Sequence, residues 1–599
     1  MTGNTRHAGG HGAGPAQKIQ LVVHAGSDDA FIAWTSGFIA ECRGFALLRK
    51  IKRGAGSPES PTAAAAPDAD GFVNETVSSW VGFADDPKTY EPGARFPTTQ
   101  WPIQKYLWSD FAVKSGDVVK YRIVPMVGDY KALRALDGDG DASAWSAPVT
   151  IGGDGEGKVS CYFNRGIVAS QWLSRVLPSD PDPKKDKLEK GRKLVDIIAT
   201  VGDRTRNFLA GHLRVKLLSL LHETRGAGGH IYAALFELED PEIVAELKQF
   251  RKRGHIVLGN GSVKKKGEDE NSDAREELAS LCDIHDRFTA PRALAHNKFI
   301  VFCDSDKKPL RVWTGSTNLT ESGLCTQANN GLLIDDPAAA QAYLDHWTVL
   351  KDAGDASPAE MKEANQTPHD IHEDLTVWFT PMSESNDLEQ AGELIRGAKQ
   401  GILFLMFNPG PRGTLLNDII ELASPHGPHY KPDLYIQGVL NQNPGTDKNP
   451  VVLFNRGERI DANADVVLPA AIDERLKFWI PELEKLPRAH AMVHSKVVIV
   501  DPYGSDPVVM TGSHNMGPKA STVNDENFVI VKGDRALASK YASKIMEIYN
   551  QYRWNGSKHD WPGLANKADW QIGAPGADAK TQAYDRRRER ELDFWFGRG

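Results

Sequence analysis

Hydrophobic and polar positions alternate along the first quarter of the chain. Five short segments show the period of two that is typical of half-buried β-strands: Ile19 to His24, Ala30 to Thr35, Phe45 to Lys52, Val118 to Val124 and Ala147 to Ile151. Clusters of Gly, Pro, Asp and Ser separate these segments, as turns require. The pattern predicts an all-β sandwich over residues 18–153, preceded by a flexible N-terminus at residues 1–17.

The pattern changes to a helix–strand alternation after the sandwich. The first stretch predicts a helix, then a strand–helix–strand unit, over Leu194 to Glu223, His230 to Phe236, Asp240 to Arg253 and Ile256 to Gly259. The second predicts two further helix–strand pairs, over Glu389 to Lys399, Gly401 to Phe407, Leu415 to Ala423 and Leu434 to Leu440. The fold class is therefore α/β, with two similar halves at 155–355 and 370–555 and a tail at 556–599.

Composition agrees with a globular protein of several domains. The chain has 599 residues, of which 40% are hydrophobic and 25% charged. It contains no run of about 18 apolar residues that predicts a transmembrane segment, and no secretory signal is visible near the start. The five cysteines are odd in number and lack metal-ligand spacing, which favours reduced thiols in a cytoplasm. Export by a route without a classical signal stays open.

Charge bears on the kind of partner. Lys and Arg number 71 against 79 Asp and Glu, which gives a net charge of −8. A protein with this balance has no global field that attracts polyanions, so capture of bulk nucleic acid is disfavoured. A local basic groove remains compatible with the composition.

A set of polar residues occurs twice, about two hundred residues apart. The first copy contains His296, Lys298, Gly315, Ser316 and Asn318. The second contains His494, Lys496, Gly512, Ser513 and Asn515. Imidazole can attack or protonate, while ammonium, amide and hydroxyl groups hold a tetrahedral anion. The duplication predicts two halves that meet at one site for a phosphodiester.

A carboxylate follows the second copy. Glu526 lies eleven residues after Asn515, and Asn329 stands at the same distance after Asn318. A carboxylate that accepts the second imidazole N–H fixes the tautomer and raises the basicity of the ring. We expect Glu526 to lie behind His494. Because an amide does not stabilise an imidazolium as a carboxylate does, we expect the two histidines to be inequivalent.

These motifs resemble those of the phospholipase D superfamily, whose signature is H-x-K-x4-D followed by G-S-x-N, twice. The second copy, including Asp501, fits this pattern throughout. In the first copy Cys303 occupies the expected Asp position, and a one-residue bulge would return Asp304 to register as structural support. The resemblance covers most of residues 155–555 and implies two pseudo-symmetric α/β/α halves that form one catalytic unit.

Two segments of the sandwich resemble another family. Tyr121 to Pro125 and Trp145 to Val149 are similar to the closing hairpin of a fibronectin type III domain. The resemblance covers about thirty residues. We expect this domain to dock on the catalytic unit or on a substrate aggregate.

The phospholipase D resemblance implies a two-step displacement through a phosphohistidine. His296 is then the nucleophile and His494 the acid and base. Both lysines and both asparagines of the motifs would neutralise the non-bridging oxygens. The resemblance also assigns substrate binding to Ser316, Ser513, Asn329, Gly315 and Gly512. Neither a metal nor another cofactor is required, because the cationic and donor groups do what Mg²⁺ does elsewhere.

The motifs indicate only that the substrate contains a phosphodiester and not which groups it joins, so three interpretations stay open. The first is hydrolysis, or headgroup exchange, of glycerophospholipids, with peripheral membrane contact. The second is a nuclease or nucleotide phosphodiesterase, which the negative net charge makes less favoured. The third is a weakened enzyme that acts as a binding module. A monomer suffices, since one chain supplies both motifs. The aromatic residues Trp378, Phe379, Phe404 and Phe407 are interpreted as core.

Overall fold

The structure is a computed structural model. It describes residues 19–54, 66–83, 86, 88, 90, 94–138, 140–152, 157–166, 193–441, 464–467, 492–560, 571–576 and 588–598. The predicted flexible N-terminus at 1–17 lies outside this part of the chain. Two compact units are present, one formed by residues 1–25, 29–151 and 562–596, the other by 26–28, 152–561 and 597–599.

The first unit is rich in β-structure. Its strands are β1 (Ile19–Ala25), β2 (Ala30–Ser36), β3 (Cys42–Lys52), β4 (Val73–Thr76), β5 (Ser78–Ser79), β6 (Phe96–Pro97), β7 (Leu107–Asp110), β8 (Val118–Val127), β9 (Arg134–Ala135) and β10 (Val149–Thr150). One sheet has the order β1-β2-β7, and another has the order β10-β8-β3-β4 with β9 paired to β8. The expected N-terminal β-rich region is confirmed. Its likeness to fibronectin type III stays a prediction.

Residues 571–576 and 588–596, near the end of the chain, belong to this β unit. His24 Nε2 lies 2.9 Å from the carbonyl oxygen of Trp595, and the rings of Phe31 and Trp595 pack at 4.2 Å between centroids. Gln571 also donates to the carbonyl of Ile39 at 2.9 Å. The tail therefore contributes a buried aromatic ring to a core whose strands come from the first 150 residues.

The second unit begins with a seven-stranded sheet. Its strands are β11 (Val159–Phe163), β12 (His230–Leu235), β13 (Gly254–Gly259), β14 (Asp283–Arg287), β15 (Lys298–Cys303), β16 (Pro309–Gly315) and β17 (Asn330–Ile334), in the order β11-β17-β16-β15-β12-β13-β14. Its helices are α1 (Arg204–Gly226), α2 (Pro241–Phe250), α3 (Ser272–Ala279), α4 (Glu321–Cys325), α5 (Pro337–Ala353) and α6 (Ala359–Ala364), with a 3-10 turn at Arg251–Arg253. Strands β12, β13 and β14 are parallel, as the strand–helix–strand pattern predicts.

An eight-stranded sheet follows. Its strands are β18 (His369–His372), β19 (Leu375–Phe379), β20 (Gly401–Met406), β21 (Tyr435–Leu440), β22 (Ala464–Val467), β23 (Val497–Val500), β24 (Val508–Gly512) and β25 (Asn527–Lys532), in the order β18-β19-β25-β24-β23-β20-β21-β22. The helices of this half are α7 (Asn386–Arg396), α8 (Leu415–Ala423), α9 (Pro518–Thr522) and α10 (Arg535–Asp560). The run β17-β16-β15-β12-β13 repeats as β25-β24-β23-β20-β21, so the two halves share one topology and the predicted α/β class is confirmed.

Local sequence explains where the helices begin. Asp203 and Asp240 each accept backbone N–H groups of the first turn, at α1 and at α2, which satisfies donors that a helix leaves unpaired. Thr414 and Asn417 form a reciprocal capping box at α8. The predicted helix over Leu194 to Glu223 is interrupted, because Asp203 caps a new helix after the turn at residues 200–203.

The two halves interlock through backbone hydrogen bonds. The N–H of Ala328 donates to Met492 at 2.8 Å, and the N–H of His494 donates back to Ala328 at 3.0 Å. On the other side the N–H of Asp525 donates to Leu294 at 2.9 Å. These bonds place the loop after each G-S-x-N motif beside the histidine of the opposite half. In the described part of the chain, no helix is long and apolar enough to cross a membrane.

Candidate active site

The two motif histidines line one cavity. His296 and His494 lie on extended segments just before β15 and β23, the central strands of their sheets. Because every residue of those strands is buried, the histidines that face the cavity lie outside the strands, at their N-terminal ends. Both rings face a cavity of about 610 Å³ that is lined from both halves. The duplicated motifs therefore meet at a single site.

His296 is backed by a carboxylate. Its Nδ1 lies 2.6 Å from Oε2 of Glu526, and both side chains are buried. The expected pairing of Glu526 with His494 is wrong. Because the halves interlock, the loop after each motif reaches across to the opposite ring, and Glu526 of the second half serves the histidine of the first.

His494 has only neutral partners. Its Nδ1 lies 3.0 Å from Oδ1 of Asn329 and 3.1 Å from the carbonyl oxygen of Ser316. Both partners are acceptors, so Nδ1 carries the proton and Nε2 is the nitrogen available to a ligand. The same holds for His296, whose Nδ1 faces a carboxylate. The expected inequivalence of the two rings is present, with the partners exchanged.

The motif lysines stand behind the histidines. Nζ of Lys298 donates to the carbonyl oxygen of His296 at 2.6 Å, and Nζ of Lys496 donates to that of His494 at 2.6 Å. Both ammonium groups are buried and neither lysine lines the cavity. They stand behind the rings and do not present donors directly to the cavity, whereas the sequence predicted that they would contact the non-bridging oxygens of the substrate.

Two phenylalanines complete this arrangement. Phe236 follows β12 and Phe407 follows β20, and each ring lies 4.7 Å from its motif histidine and 4.8 Å from the lysine ammonium. A cation over an aromatic face is attracted by the ring quadrupole. The interpretation of Phe407 as core is wrong, because it lines the cavity. Its signal in the sequence is an aromatic residue directly after the buried strand of each half.

The serines and glycines of the motifs shape the loops. Ser316 Oγ donates to Asn329 at 2.8 Å and accepts from the N–H of Asn330, while Ser513 Oγ accepts from the N–H of Asn527 at 3.0 Å. Gly315 has φ 133°, and a Cβ there would lie 2.4 Å from a backbone oxygen. Gly512 has φ 141°, and a Cβ there would also lie 2.4 Å from a backbone oxygen. Only glycine fits either position.

The two motif asparagines line the cavity but differ in their contacts. The amide of Asn318 donates to Oε2 of Glu237 at 2.5 Å. Among the described residues its Oδ1 has no hydrogen-bond partner, and neither has Oδ1 of Asn515. Glu237 comes directly after Phe236, at the place that Asn408 takes in the second half. This carboxylate was not predicted from the sequence, since nothing in the motif points to it.

Asp501 of the second copy and Asp304, its expected counterpart in the first copy, have different hydrogen-bond partners. Asp501 accepts the N–H groups of Lys399, Gln400 and Gly401 and so ties β23 to the start of β20. In the first half Cys303 pairs with His230 at the equivalent register, and its thiol is buried. Asp304 instead accepts from the N–H groups of its own turn, at residues 306 and 308.

The expectation that a bulge returns Asp304 to register is therefore wrong. A bulge does occur, but it affects the pairing of β15 with β16 and not with β12. The acidic side chain serves the hairpin turn, which the longer first copy needs.

Burial and charge set the ionisation of the site. Burial, reinforced by Lys298 and Lys496, holds the pKa of His296 and of His494 well below the usual value. Burial also lowers the pKa of Lys298 to about 7, against the pull of Glu526, and raises the pKa of Glu526 to about 7. A negative ligand in the cavity would favour the protonated form of both rings, because it opposes the charge of the lysines.

A sequence comparison agrees with this geometry. The family model described as "Cardiolipin synthase, PLD-like domain" matches residues 220–348 and 458–549, which contain both motifs. These two segments, which make up less than half of the chain, are similar to a PLD-like domain. The two matched segments of the PLD-like domain include the histidines, the lysines, Asn329 and Glu526, and they fall in the two interlocked halves. No curated protein sequence matches the chain.

Several solved structures are similar to the chain at low identity. They include polyphosphate kinase from Porphyromonas gingivalis, at 13% identity and a TM-score of 0.34 over 53% of this chain and 42% of that one. Phosphatidylserine synthase from Haemophilus influenzae Rd KW20 matches at 12% identity and 0.38, over 56% and 84%. Nuc, a phospholipase D family member from Salmonella typhimurium, matches at 21% and 0.20, over 23% and 88%. The matched region is thus less than half of the kinase.

The acidic and metal-ligating residues of the described part of the chain do not form a metal centre. No group of three or more His, Cys, Asp or Glu side chains there has the arrangement that would hold a metal ion. What the cavity offers to a ligand is two imidazole Nε2 atoms, two amides and a carboxylate rim.

Proposed function

We propose that the chain is a phosphodiesterase of phospholipase D type that acts on glycerophospholipids without a metal. The observation that supports this is the pair of imidazoles in one cavity, each with Nδ1 engaged and Nε2 available. A phosphorus atom between two such nitrogens can be attacked from one side and have its leaving group protonated from the other. The buried lysines behind the rings favour an anionic substrate.

The different partners of the two rings support different roles for them. In the first step Nε2 of His296 attacks phosphorus and the bond from phosphorus to the alcohol oxygen breaks. His494, which is protonated on both nitrogens once the anionic substrate is bound, gives its Nε2 proton to that oxygen. Water then attacks the phosphohistidine, His494 takes the proton of the water, and the N–P bond breaks. Glu526 stabilises the positive charge that the phosphorylated His296 ring carries, which suits the nucleophile. His494, with neutral partners, is the better acid.

The test is a side-by-side assay of purified protein in EDTA. The substrates are phosphatidylcholine vesicles, single-stranded DNA and double-stranded DNA. We expect choline release that survives chelation and that falls by about 10³-fold or more in His296→Ala and in His494→Ala. His426→Ala, at an exposed position outside the cavity, is the matched control and should keep wild-type activity.

Other outcomes select the alternatives. DNA cleavage alone that depends on both histidines would make the protein a nuclease. Lipid binding that is indifferent to both substitutions, with no turnover, would make it a binding module.

A further inference from the structure

The solvent-exposed side of the cavity is acidic. Glu237, Glu239 and Glu270 all line it, and we call these three residues the acidic rim. All three come from the first half. Among the described residues that line the cavity, Lys519 is the one lysine or arginine, and it comes from the second half. At the place that corresponds to Glu237 the second half has the neutral Asn408. The pseudo-symmetry of the site is thus broken by charge.

A buried amide points to a ligand at this rim. Asn318 is 4% exposed, and its Oδ1 has no hydrogen-bond partner among the described residues. Its amide nitrogen donates to Oε2 of Glu237, and Oε1 of Glu237 accepts from the hydroxyl of Ser262 at 3.1 Å. The carboxylate is therefore held in a fixed position. Oδ1 of Asn318 and the carboxylate of Glu237 can still accept hydrogen bonds, so the cluster suits a ligand that carries a hydrogen-bond donor or a positive charge.

The deeper side of the cavity gains the opposite charge when an anionic group binds, because the anion favours the protonated form of two lysines whose pKa burial lowers. Lys298 and Lys496 stand behind the two histidines, and their charge acts on both rings. The charge of Lys298 also acts on Glu237, where it opposes the rise in pKa that burial causes. A volume of about 610 Å³ is enough for a small headgroup and its phosphate. One cavity thus places positive charge behind the reacting nitrogens and negative charge nearer to solvent. A ligand that matches both ends is a zwitterion.

We propose that Glu237, assisted by Glu239 and Glu270, binds a positively charged amine on the substrate, so that the enzyme selects zwitterionic phosphodiesters. This rests on the proposed function only in that the phosphate lies between the imidazoles. A polyanion would bring further phosphates against the rim, where like charges repel. The rim therefore favours a small amino-alcohol diester over a nucleic acid strand.

The test uses two ligands of the same shape. Phosphocholine carries a quaternary ammonium, and 3,3-dimethylbutyl phosphate has carbon in place of that nitrogen. We expect calorimetry to give the wild-type protein a Kd for phosphocholine about tenfold lower than for the neutral analogue, which is the effect of about 1.4 kcal/mol. Glu237→Gln should reduce the ratio to about three, with the remainder due to Glu239 and Glu270. Glu276→Gln, an exposed position on α3 outside the cavity, is the matched control and should keep the ratio.

Equal affinities in the wild type, no measurable binding of either ligand, or a ratio that Glu237→Gln leaves unchanged would overturn the proposal. Circular dichroism and unfolding of Glu237→Gln check its fold. The double variant Glu239→Gln/Glu270→Gln, at exposed positions, gives a second measurement and should reduce the ratio by about threefold. Because binding needs no turnover, failure of this inference is separate from failure of the proposed reaction.

Discussion

At the scale of single residues, the exchange of partners between the rings decides the chemistry. Glu526 and Asn329 lie at equivalent places, and each contacts the histidine of the opposite half. The sequence predicted that one ring would have a carboxylate and the other an amide. It could not predict which ring, because the spacing along one chain carries no information on how two halves cross. That pairing is a property of tertiary structure.

A carboxylate beside His494 should move the pH profile. Asn329→Asp would place a negative charge at about the present distance of 3.0 Å from Nδ1 of the ring. Opposite charge favours the protonated form and so raises the pKa of His494, by about one unit. Because the general acid must be protonated, the loss of kcat/KM at high pH should shift upward by the same amount.

The measurement is kcat/KM as a function of pH. Gln249→Glu, which makes the same change of charge at an exposed position of α2, is the control and should leave the profile where it is. An alkaline limb that does not move in Asn329→Asp would show that His494 is not the group that titrates there.

Glu526→Gln tests the nucleophile. The amide can still accept a hydrogen bond from Nδ1 of His296, but it cannot stabilise the charge of the phosphorylated ring. We expect kcat to fall by about 10²-fold or more with little change in KM, because the lost interaction matters mainly after attack. Steady-state kinetics measure this, with Glu276→Gln as the matched loss of charge outside the cavity. A change confined to KM would contradict the assignment.

Several residues of the site lay beyond what the sequence could predict. The histidines, lysines and asparagines follow from their repeated spacing. Glu237 does not, since its role depends on the contact with Asn318, eighty-one residues away. The lysines were expected in the cavity, but their side chains turn back to the carbonyl oxygens two residues earlier. The spacing of residues along a strand predicts from which face a side chain projects, but it does not predict where the charged group of that side chain lies.

At the scale of elements, the strands were predicted well because their burial is complete. β20 (Gly401–Met406) has all six residues buried, and it begins at the predicted residue and ends one residue before the predicted end at Phe407. α8 also has the predicted bounds, since a capping box marks its start. The break before α1 was missed, because apolar residues keep helical spacing on both sides of the turn at residues 200–203.

The motif glycine at the end of β24 should be essential for stability. In Gly512→Ala the new Cβ would approach the backbone oxygen of Asn527 to 2.4 Å at a φ of 141°. We expect a loss of about 3 kcal/mol in the free energy of unfolding, from strain and steric overlap together. Chemical denaturation measures it.

Gly226→Ala is the matched control for this substitution. Gly226 ends α1 in open space, where an added Cβ would have no atom within 4 Å, and its φ is not positive. Alanine there should be neutral or slightly stabilising, because it restricts the unfolded chain. Equal effects of the two substitutions would show that the close approach at Gly512 is not what limits stability.

At the scale of the catalytic unit, the two halves depend on one another. The guanidinium of Arg287 contacts the carboxylate of Asp525 at 2.6 Å and 2.9 Å, and both side chains are almost fully buried. Thr314 donates to Asn527 and Asn330 donates to Thr511, so equivalent threonines and asparagines bond across the interface. Contacts that cross in both directions make separate folding of either half unfavourable.

Arg287→Met should therefore destabilise both halves together. It leaves the carboxylate of Asp525 buried without its partner, at a cost of about 3–5 kcal/mol. We expect the unit of residues 152–561 to unfold in one transition that moves to lower denaturant concentration. Hydrogen exchange read out on β12 and on β20 measures this, and both strands should lose protection equally.

The double variant Arg287→Met/Asp525→Leu is the control, since it also removes the carboxylate that the single variant leaves without a partner. It should regain most of the loss. Loss of protection in one sheet alone would mean that the halves are stable independently.

The crossing of Glu526 to His296 also constrains how this chain can change over generations. Each duplicated segment carries the hydrogen-bond partner of the other segment's histidine, so we expect a change in either segment to alter the ring of the other. A substitution at position 526 would act first on the ring of His296, which is encoded two hundred and thirty codons upstream.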